Sequence, residues 1–331
     1  MSSKITSLKN AMQKKGISTE LSEPTQWVSF GNYALNYIAT GSFYRGIPNK
    51  RVVMNFGQSG TGKSLIAGHA AKEMQDQGRT VIYIDTEDAI DERYLNRIGV
   101  NTSDEELFVP IRLSTIEDLS EVTSEIFRSF TEEDKLGIIV DSLGMIDTED
   151  RMESFEKKGE MKNDMGVLAK KIKHYLKTIT SKVGQYDIMF LLNQHVYANQ
   201  NVLDGRGTHV PSGGEAQIYI PSISLMFKKL KLKEDGAITG IRLKAVSEKT
   251  RFFQLGYATE IEIPYETGMN PYTGVLEILE EEYDGLSKSG AWYTYTNDEG
   301  EVVKFQKSNA KDHLDYLMGK MEPIDIEEVE E

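Results

Sequence analysis

Residues 57–64 contain the side chains and glycines that bind a nucleoside triphosphate. The segment reads Gly-Gln-Ser-Gly-Thr-Gly-Lys-Ser, and it lies between an apolar strand-like run and an apolar helical run, as the P-loop pattern requires. Glycines allow a tight loop whose backbone N–H groups point at phosphates, and the helix N-terminus adds partial positive charge. We expect Lys63 to reach the β- and γ-phosphates of ATP and the Ser64 hydroxyl to bind Mg²⁺. A chance glycine-rich turn is the alternative to a site formed by Gly57, Gln58, Ser59, Gly60, Thr61, Gly62, Lys63 and Ser64.

Two further apolar segments end in carboxylates. Residues 137–142 form a short apolar run that ends near Asp141, which a parallel sheet would place at its carboxyl edge, where ligands bind. There Asp141 can hold the water shell of Mg²⁺, and a cap on the next helix is the alternative role. Residues 80–87 end in Asp85 and Glu87, whose side chains point the same way while the chain is extended. Glu87 is our candidate for the group that orients or deprotonates an attacking water, with helix capping as the alternative for either carboxylate.

Five runs of mostly apolar residues position these groups. Stretches with helical periodicity, such as residues 116–129 and 165–182, lie between runs whose composition is typical of parallel strands covered on both faces. The chain is therefore predicted to be an α/β protein with a doubly wound, mostly parallel sheet and helices on both faces. Residues 222–231, 238–246 and 259–263 alternate more and are predicted as antiparallel edge strands. The predicted parallel strands are 52–56, 80–85, 108–113, 137–142 and 188–194.

Composition and charge restrict the class of protein. The 331 residues include no cysteine, which excludes disulfides, thiolate catalysis and zinc ribbons. No apolar run could span a membrane and the first residues do not read as a signal peptide, so we expect a cytoplasmic protein without a membrane partner. The net charge of −14 is unevenly distributed, because residues 277–331 hold 16 acidic and 5 basic side chains whereas residues 151–182 hold 9 basic and 4 acidic. The basic segment can bind phosphate locally, and a solvated helix face is the alternative.

An ordered series of short segments resembles the RecA-type recombinases, and among them most closely the phage UvsX recombinases. The series begins before the P-loop, includes the two acidic strand ends and continues to an aromatic stretch near residue 295, so the resemblance covers about residues 29–315. It implies a RecA-like P-loop NTPase core. The polar residues 1–25 are predicted as a short helix with a linker, and the acidic residues 322–331 as a disordered tail. The remaining residues leave no room for a substantial C-terminal domain of the bacterial kind, which favours the phage branch. The similar segments are 29–36, 46–48, 83–94, 99–100, 140–142, 191–194, 268–275 and 289–295.

The resemblance assigns further residues to the nucleotide. It implies that Glu87 activates the attacking water and that Asp91 and Tyr94 contact the adenine. It also places a polar γ-phosphate sensor at the end of the run Leu-Leu-Asn-Gln-His, where the bacterial and phage patterns can be satisfied by different residues. We prefer Gln194, because Asn-Gln reproduces the RecA pair, and His195 is the alternative.

The run Val-Ser-Glu-Lys-Thr-Arg at 246–251 resembles a segment that reaches the ATP of a neighbouring subunit. Lys249 and Arg251 would then neutralise transition-state charge on the γ-phosphate. ATP would lie between subunits and hold them together. The alternative is an exposed pair of charges after a strand.

Two loops are expected on the carboxyl edge of the sheet, at residues 147–163 and 196–214. The first contains Arg151 and three lysines, and the second is rich in glycine, so both can approach phosphates. They resemble the two DNA-binding loops of the recombinases. By that resemblance Met165 inserts between bases. Lys170 and Arg206 contact phosphate, and Gly213 and Gly214 lie along the DNA backbone. The alternatives are a core methionine for Met165 and a plain surface residue for Lys170.

These observations predict a DNA-dependent ATPase that uses ATP and Mg²⁺, forms a helical filament on single-stranded DNA and exchanges strands with homologous duplex DNA. The resemblance adds a single-strand-binding protein and a loading mediator as partners, and the host cytoplasm as the location if a phage encodes the chain. The predicted divisions are an N-terminal helix and linker for subunit contact (1–28), the ATPase core (29–280) and a small C-terminal extension (281–331). A RecA-fold ring helicase and a recombination mediator ATPase are the alternative functions.

Overall fold

The computed structural model of the chain describes most of its 331 residues. The described ranges are 2–15, 19, 22–88, 90–159, 166–198, 209–211, 216–234 and 236–322. Several predicted DNA-binding residues and the end of the acidic tail lie outside these ranges: Met165, Arg206, Gly213, Gly214 and residues 323–331.

The helices begin where the sequence provides caps or glycines. Asn32 accepts a hydrogen bond from the Leu35 N–H, and Thr115 accepts one from the Asp118 N–H. None of the helices in the described part of the chain combines the length and apolar character that a bilayer crossing needs. The helices are α1 (Ser2–Gln13), α2 (Tyr33–Thr40), α3 (Lys63–Asp76), α4 (Glu92–Arg97), α5 (Ile116–Ser129), α6 (Glu149–Lys158), α7 (Val167–Val183), α8 (Ala216–Tyr219), α9 (Val275–Glu282) and α10 (Lys311–Met321).

The predicted strands are all present, with ends that differ by a few residues. The strands are β1 (Trp27–Val28), β2 (Ile47–Pro48), β3 (Arg51–Gly57), β4 (Thr80–Asp85), β5 (Phe108–Arg112), β6 (Leu136–Asp141), β7 (Ile188–Ala198), β8 (His209–Pro211), β9 (Ile223–Glu234), β10 (Ala237–Thr250), β11 (Ala258–Pro264), β12 (Ser287–Ser289), β13 (Trp292–Thr296) and β14 (Val302–Gln306).

The main sheet has the order β11-β10-β9-β3-β7-β6-β4-β5, and β8 pairs with the end of β7. The strands from β9 to β5 are parallel to one another. β10 and β11 add an antiparallel edge, as predicted, but β9 is antiparallel only to β10 and pairs in parallel with β3. The α/β fold with a mostly parallel sheet is therefore confirmed.

Two hydrophobic cores lie on opposite faces of this sheet. Val53 of β3 belongs to the core that contains Ile66 of α3, and its neighbour Met54 belongs to the core that contains Leu119 of α5 and Ile172 of α7. Side chains alternate along a strand, so consecutive residues of one strand serve different faces. The face that carries α3 also carries the P-loop, and we call it the P-loop face.

The structure differs from the sequence prediction at residues 149–158, which form helix α6 instead of a loop. Acidic residues occupy its first turn, lysines occupy its last turn, and Gly159 closes it in the left-handed conformation with φ of 65°. Lys157 also donates to Glu153 one turn earlier, at 2.6 Å. Two of the basic groups predicted to face DNA are thereby paired, because Arg151 contacts Asp147 at 3.1 Å.

The C-terminal extension packs on the main domain. β12, β13 and β14 form a small antiparallel sheet, and the ring of Phe305 stacks on His313 of α10 with 4.4 Å between ring centroids. Phe305 and Leu314 are buried in the same hydrophobic core as α2 and α3. The Tyr272 hydroxyl donates to Asp315 at 2.8 Å, which fastens α10 to the loop before α9.

Candidate active site

The P-loop joins β3 to α3 and has the geometry of an anion-binding turn. Gly60 and Gly62 have φ of 71° and 86°, a conformation that L side chains rarely adopt. The Thr61 hydroxyl donates to the Gln58 carbonyl at 2.8 Å and tightens the turn. Gly62 precedes α3, and no side chain caps the first N–H groups of this helix. These donors fit the phosphates of a nucleotide.

Lys63 lies inside this turn. Its ammonium group donates to the backbone carbonyls of Gly57 at 3.0 Å and Gln58 at 3.1 Å, and only 5% of the residue is exposed. Burial lowers the pKa of Lys63, while Asp141 and Glu87 oppose that change by their negative charge. The sequence prediction that brings lysine and the two carboxylates to one site therefore agrees with the electrostatics.

A cavity of about 240 Å³ connects the predicted metal-binding residues to the predicted adenine contacts. Asp141 ends β6 beside Asp85 of β4, and its carboxylate accepts a hydrogen bond from the Tyr83 hydroxyl at 3.0 Å. A hydroxyl and a carboxylate suit Mg²⁺, which prefers oxygen ligands and usually keeps several of its waters. The residues therefore fit the ion and nucleotide. The polar residues that line the cavity are Ser64, Tyr83, Asp85, Glu87, Asp91, Tyr94 and Asp141.

The two carboxylates at the end of β4 have different tasks. Asp85 accepts hydrogen bonds from the backbone N–H groups of Glu87 at 2.9 Å and Ile90 at 3.0 Å. Asp85 thus shapes the turn after β4, and Glu87 presents its carboxylate on that turn. This arrangement supports Glu87 rather than Asp85 as the group that acts on water.

Glu87 is hydrogen-bonded to the ends of two neighbouring strands. Its Oε1 accepts from the Ser142 hydroxyl, one residue beyond β6, and lies 2.6 Å from Nε2 of His195 in β7. The hydrogen bond from His195 lowers the pKa of Glu87 to about 2, against the effect of burial, and Ser142 and Lys63 act in the same direction as His195. Glu87 is therefore ionised at neutral pH, as a general base must be.

The alternation of β7 separates the two candidate sensors. His195 is directed to the P-loop face, where it meets Glu87 and is in register with Gly57. Gln194 is fully buried on the other face, and its Nε2 donates to Oε1 of Gln217 in α8 at 2.5 Å. The structure therefore brings His195, the alternative, to the predicted catalytic glutamate, and it directs Gln194 to the segment that follows the predicted second DNA loop.

Asp91 and Tyr94 lie at the far end of the cavity. Asp91 caps α4, because its Oδ1 accepts a hydrogen bond from the Tyr94 N–H at 3.1 Å. Asp91 itself therefore caps α4, and neither Asp85 nor Glu87 takes the capping role that was the alternative for them. Burial raises the pKa of Tyr94 to about 12, and within the described residues the Tyr94 hydroxyl is buried without a hydrogen-bond partner.

Lys249 and Arg251 lie two strands from β3 and are displaced along the sheet away from the P-loop of their own chain. Lys249 is in register with Ser224, and Ser224 is in register with Met54, three residues before Gly57. The three residues from Met54 to Gly57 correspond to about 10 Å along the strands. The two strand spacings from β10 to β3 add to the distance between Lys249 and the P-loop. The Lys249 ammonium donates to the carbonyls of Tyr219 and Pro221, and burial, assisted by Arg251, lowers its pKa to about 8.

Comparison with known proteins decides the family. A family model described as the RecA N-terminal domain matches residues 6–270. The chain belongs to the RecA family of recombinases. It is 29% identical over 310 residues to the RecA protein of Macrococcus caseolyticus, covering 92% of this chain and 81% of that protein. RecA proteins of Lactiplantibacillus pentosus and Desulforapulum autotrophicum are 28% and 29% identical, over 93% and 86% of this chain and 76% and 77% of their own lengths. These relatives confirm the predicted family, and the likeness to the UvsX branch stays a prediction.

In this RecA-family chain, Lys170 is the predicted DNA contact that the structure describes. It lies in the first turn of α7 and lines a groove of about 900 Å³ between α5 and α7, together with Arg128 and His174. The adjacent Lys171 forms an ion pair with Glu117 of α5. Lys170 is exposed and Lys171 is paired, so Lys170 is the better placed of the two to meet phosphate.

The sequence did not single out several residues that complete the RecA-family site. The Ser142 hydroxyl donates to Glu87, and the Tyr83 hydroxyl donates to Asp141. Gln217 accepts a hydrogen bond from Gln194. Ser142 and Tyr83 lie within segments that the sequence did identify, one residue after Asp141 and two before Asp85. Gln217 carries no comparable signal, because only the fold brings α8 against β7.

Proposed function

We propose that the protein is an ATP-dependent DNA recombinase that polymerises on single-stranded DNA and catalyses homologous pairing and strand exchange. The observation that carries the proposal is the meeting of Glu87, Asp141 and Ser64 around one cavity beside the P-loop, with Lys63 buried in the same turn. Family membership supplies the reaction class, and the site supplies the groups that ATP hydrolysis requires.

In the proposed reaction, water attacks the γ-phosphoryl group, the bond to the leaving ADP breaks, and the proton of the water passes to Glu87. Backbone N–H groups of the P-loop and Lys63 hold the β- and γ-phosphates. Ser64 and Asp141 would hold Mg²⁺, which neutralises phosphate charge when bound. Asp91 and Tyr94 are expected to contact the adenine at the other end of the cavity.

The Glu87–His195 contact supports a dependence of hydrolysis on DNA. His195 lies in β7, directly before the predicted second DNA loop at 196–214. The prediction of a loop is wrong at residues 196–198, which belong to β7, and at β8. The neighbouring Gln194 contacts Gln217, which lies beyond that loop. A change in the loop on DNA binding would therefore be transmitted to the candidate general base through a single strand.

The position of Lys249 and Arg251 supports a site shared between subunits. Both lie far from the P-loop of their own chain, as the strand register requires. We infer that they contact the γ-phosphate of ATP in a neighbouring subunit, so that ATP holds a filament together. In this proposal residues 1–28 contribute to the same subunit contact.

DNA contacts complete the proposal. Lys170 and Arg206 would bind phosphate, Met165 would insert between bases, and Gly213 and Gly214 would follow the DNA backbone. We further propose a cytoplasmic location, in the host cell if a phage encodes the chain, with a single-strand-binding protein and a loading mediator as partners. The core at 29–280 would carry both activities, and the extension at 281–331 would modulate DNA binding.

A strand-exchange assay between a single-stranded circle and a homologous linear duplex tests the function. We expect joint molecules with ATP and Mg²⁺, none with Lys63→Ala, and phosphate release that single-stranded DNA stimulates. Electron microscopy with an ATP analogue would separate a filament from the closed ring of a helicase. Binding of ATP without DNA-stimulated phosphate release would favour a mediator and would contradict the recombinase proposal.

A further inference from the structure

A pair of buried amides lies beneath the P-loop. Asn55 of β3 and Asn193 of β7 are partners in the parallel register, and neither has exposed surface. The Asn55 Nδ2 donates to the Asn193 Oδ1 at 3.3 Å. Within the described residues, this bond leaves the Asn55 Oδ1 and the Asn193 Nδ2 buried without a partner.

The fold itself does not require amides at these positions. Val53 and Leu191, two residues earlier on the same strands, are apolar and lie in the core of the P-loop face. Buried polar groups without partners destabilise a folded protein, whereas replacing both members of such a pair by apolar groups is close to neutral. The pair is therefore expected to have a use that offsets its cost.

The location of the pair indicates that use. Asn55 precedes Gly57, the first P-loop residue, by two positions, so it shares the P-loop face. Val140 is in register with Leu192, and the next residue of each strand is Asp141 and Asn193. Neighbouring strands lie about 4.8 Å apart, so Asn193 and Asp141 occupy adjacent positions on the P-loop face, although the amide makes no hydrogen bond to the carboxylate in the described residues.

The free groups have the polarity that a magnesium site needs around it. One oxygen of the Asp141 carboxylate accepts from Tyr83, and an N–H donor from Asn193 would fix the orientation of the same carboxylate. Water bound to Mg²⁺ is a hydrogen-bond donor, and the side-chain carbonyl of Asn55 is an acceptor on the same face of the sheet. Groups that orient metal ligands in this way tune metal affinity strongly.

We propose that Asn55 and Asn193 are positioning residues of the magnesium site, in which Asn193 donates to Asp141 and Asn55 accepts from water of the metal shell. The proposal rests on the proposed ATP and Mg²⁺ site. It assigns to the two amides an effect on metal-dependent nucleotide binding, and no direct contact with the reacting phosphate.

The test is the double variant Asn55→Val with Asn193→Val, titrated with β,γ-imido-ATP by calorimetry in Mg²⁺ and again in EDTA. We expect wild-type protein to bind the nucleotide more tightly in Mg²⁺ than in EDTA, and we call the ratio of these two affinities the Mg²⁺ gain. In the double variant the Mg²⁺ gain should be smaller by about tenfold or more. Affinity in EDTA should change less than about twofold, because the P-loop donors remain. The unfolding temperature of the protein without nucleotide should be unchanged or higher, because two unpartnered groups are removed.

Thr123→Val is the matched control, because it removes a buried hydroxyl on the opposite face of the sheet, where Thr123 donates to the Leu119 carbonyl. It should leave the Mg²⁺ gain intact. A full Mg²⁺ gain in the double variant would overturn the proposal and make the pair a structural feature. If the double variant does not fold, Asn193→Ala alone carries the same expected loss. A wild-type protein without any Mg²⁺ gain would instead contradict the proposed nucleotide site.

Discussion

Glu87 and His195 are joined across the end of the sheet, with 2.6 Å between Oε1 of the glutamate and Nε2 of the histidine. The contact links the turn after β4 to β7. Both side chains are largely buried, with an exposed fraction of 11% for the histidine and 26% for the glutamate. It ties the candidate general base to the strand that leads into the predicted second DNA loop. This relationship defines the first test of coupling between DNA and ATP.

Replacing His195 is expected to uncouple hydrolysis from DNA. In His195→Ala the carboxylate of Glu87 keeps its bond to Ser142 but loses its link to β7. We expect the ratio of DNA-stimulated to basal phosphate release to fall by about tenfold or more, within the range that misplacing a general base produces. His313→Ala, which replaces a histidine of α10 outside the predicted loops and the groove that Lys170 lines, is the control. An unchanged ratio in His195→Ala would remove the proposed coupling route.

Glu87→Gln is expected to separate binding from hydrolysis. The amide keeps the shape of the side chain but cannot accept a proton, so phosphate release should fall by about a hundredfold while ATP and DNA still bind. Filaments formed by this variant should persist, which electron microscopy over time can measure. Loss of nucleotide binding would mean that Glu87 is structural, and the role would pass to Asp85.

The lowered pKa of Glu87 also predicts a pH-dependent contribution to stability. Because the pKa falls from 4.5 to about 2 on folding, the ionised carboxylate stabilises the folded state above about pH 4.5. That contribution is lost as the pH falls towards 2. The difference in free energy of unfolding between wild type and Glu87→Gln should therefore be constant near neutral pH and shrink below pH 4.5. Urea denaturation at a series of pH values would measure it, and a difference that grows on acidification would contradict the assignment.

Mixing two inactive variants tests whether the site is shared between subunits. Lys249→Ala with Arg251→Ala should bind ATP yet show no DNA-stimulated hydrolysis, and Lys63→Ala should be inactive alone. A mixture should recover part of the activity, because an intact P-loop in one subunit can meet intact Lys249 and Arg251 in the next. Co-assembly without recovery would show that these residues act within one chain or are surface charges.

The pKa of Lys249, lowered to about 8, predicts an alkaline limit to the same activity. In the free subunit the ammonium group loses its charge as the pH rises through 8, so contact with a neighbour's phosphate then requires uptake of a proton, and DNA-stimulated hydrolysis should decline as the pH rises above 8. Lys249→Arg should move the decline to higher pH, since a guanidinium stays charged. An unmoved limit would point to another group, such as Lys63.

Removing residues 323–331 is expected to strengthen DNA binding at low salt. This segment has five carboxylates and no basic residue, so it can compete with phosphate for basic loops until salt screens the effect. The cut should come after Glu322, because Oε2 of Glu322 accepts from the Phe43 N–H at 2.7 Å. Deletion from 322 onward is the informative comparison, since it should add a loss of stability. If wild-type protein and the 323–331 deletion bound DNA with equal affinity at low and at high salt, the tail would only increase solubility.

Arg79 is expected to be the charged residue whose loss costs most stability. It is fully buried and donates to the Asp187 carboxylate at 2.9 Å and to the Asp187 carbonyl at 3.0 Å. Arg79→Ala should lower the free energy of unfolding by about 3–5 kcal/mol, because the largely buried Asp187 then loses its charged partner and keeps the neutral Asn49 amide, which donates to it at 2.8 Å. Arg128→Ala, which breaks an exposed pair with Glu125, should cost less than about 1 kcal/mol. Similar losses for both variants would contradict this ranking.

Much of the molecule could be predicted because the decisive signals are local. The P-loop follows an apolar strand and precedes an apolar helix within residues 51–76, so β3, the turn and α3 are specified by their own sequence. The same holds for the strands that end at Asp85 and Asp141, whose buried residues form unbroken runs. The prediction of a loop is wrong at helix α6, whose end charges and closing Gly159 are typical of a helix, because that prediction rested on the position of the segment after a strand at the carboxyl edge.

The sequence by itself determined the fold class, the family and the candidate nucleotide residues, since each depends on short motifs in a fixed order. Only the tertiary structure decided that His195 rather than Gln194 meets Glu87, because one step along β7 exchanges the two faces of the sheet. It also decided that Lys249 lies away from its own P-loop and that Asn55 pairs with Asn193. Those facts depend on strand order and register between segments far apart in the chain, and no local pattern encodes them.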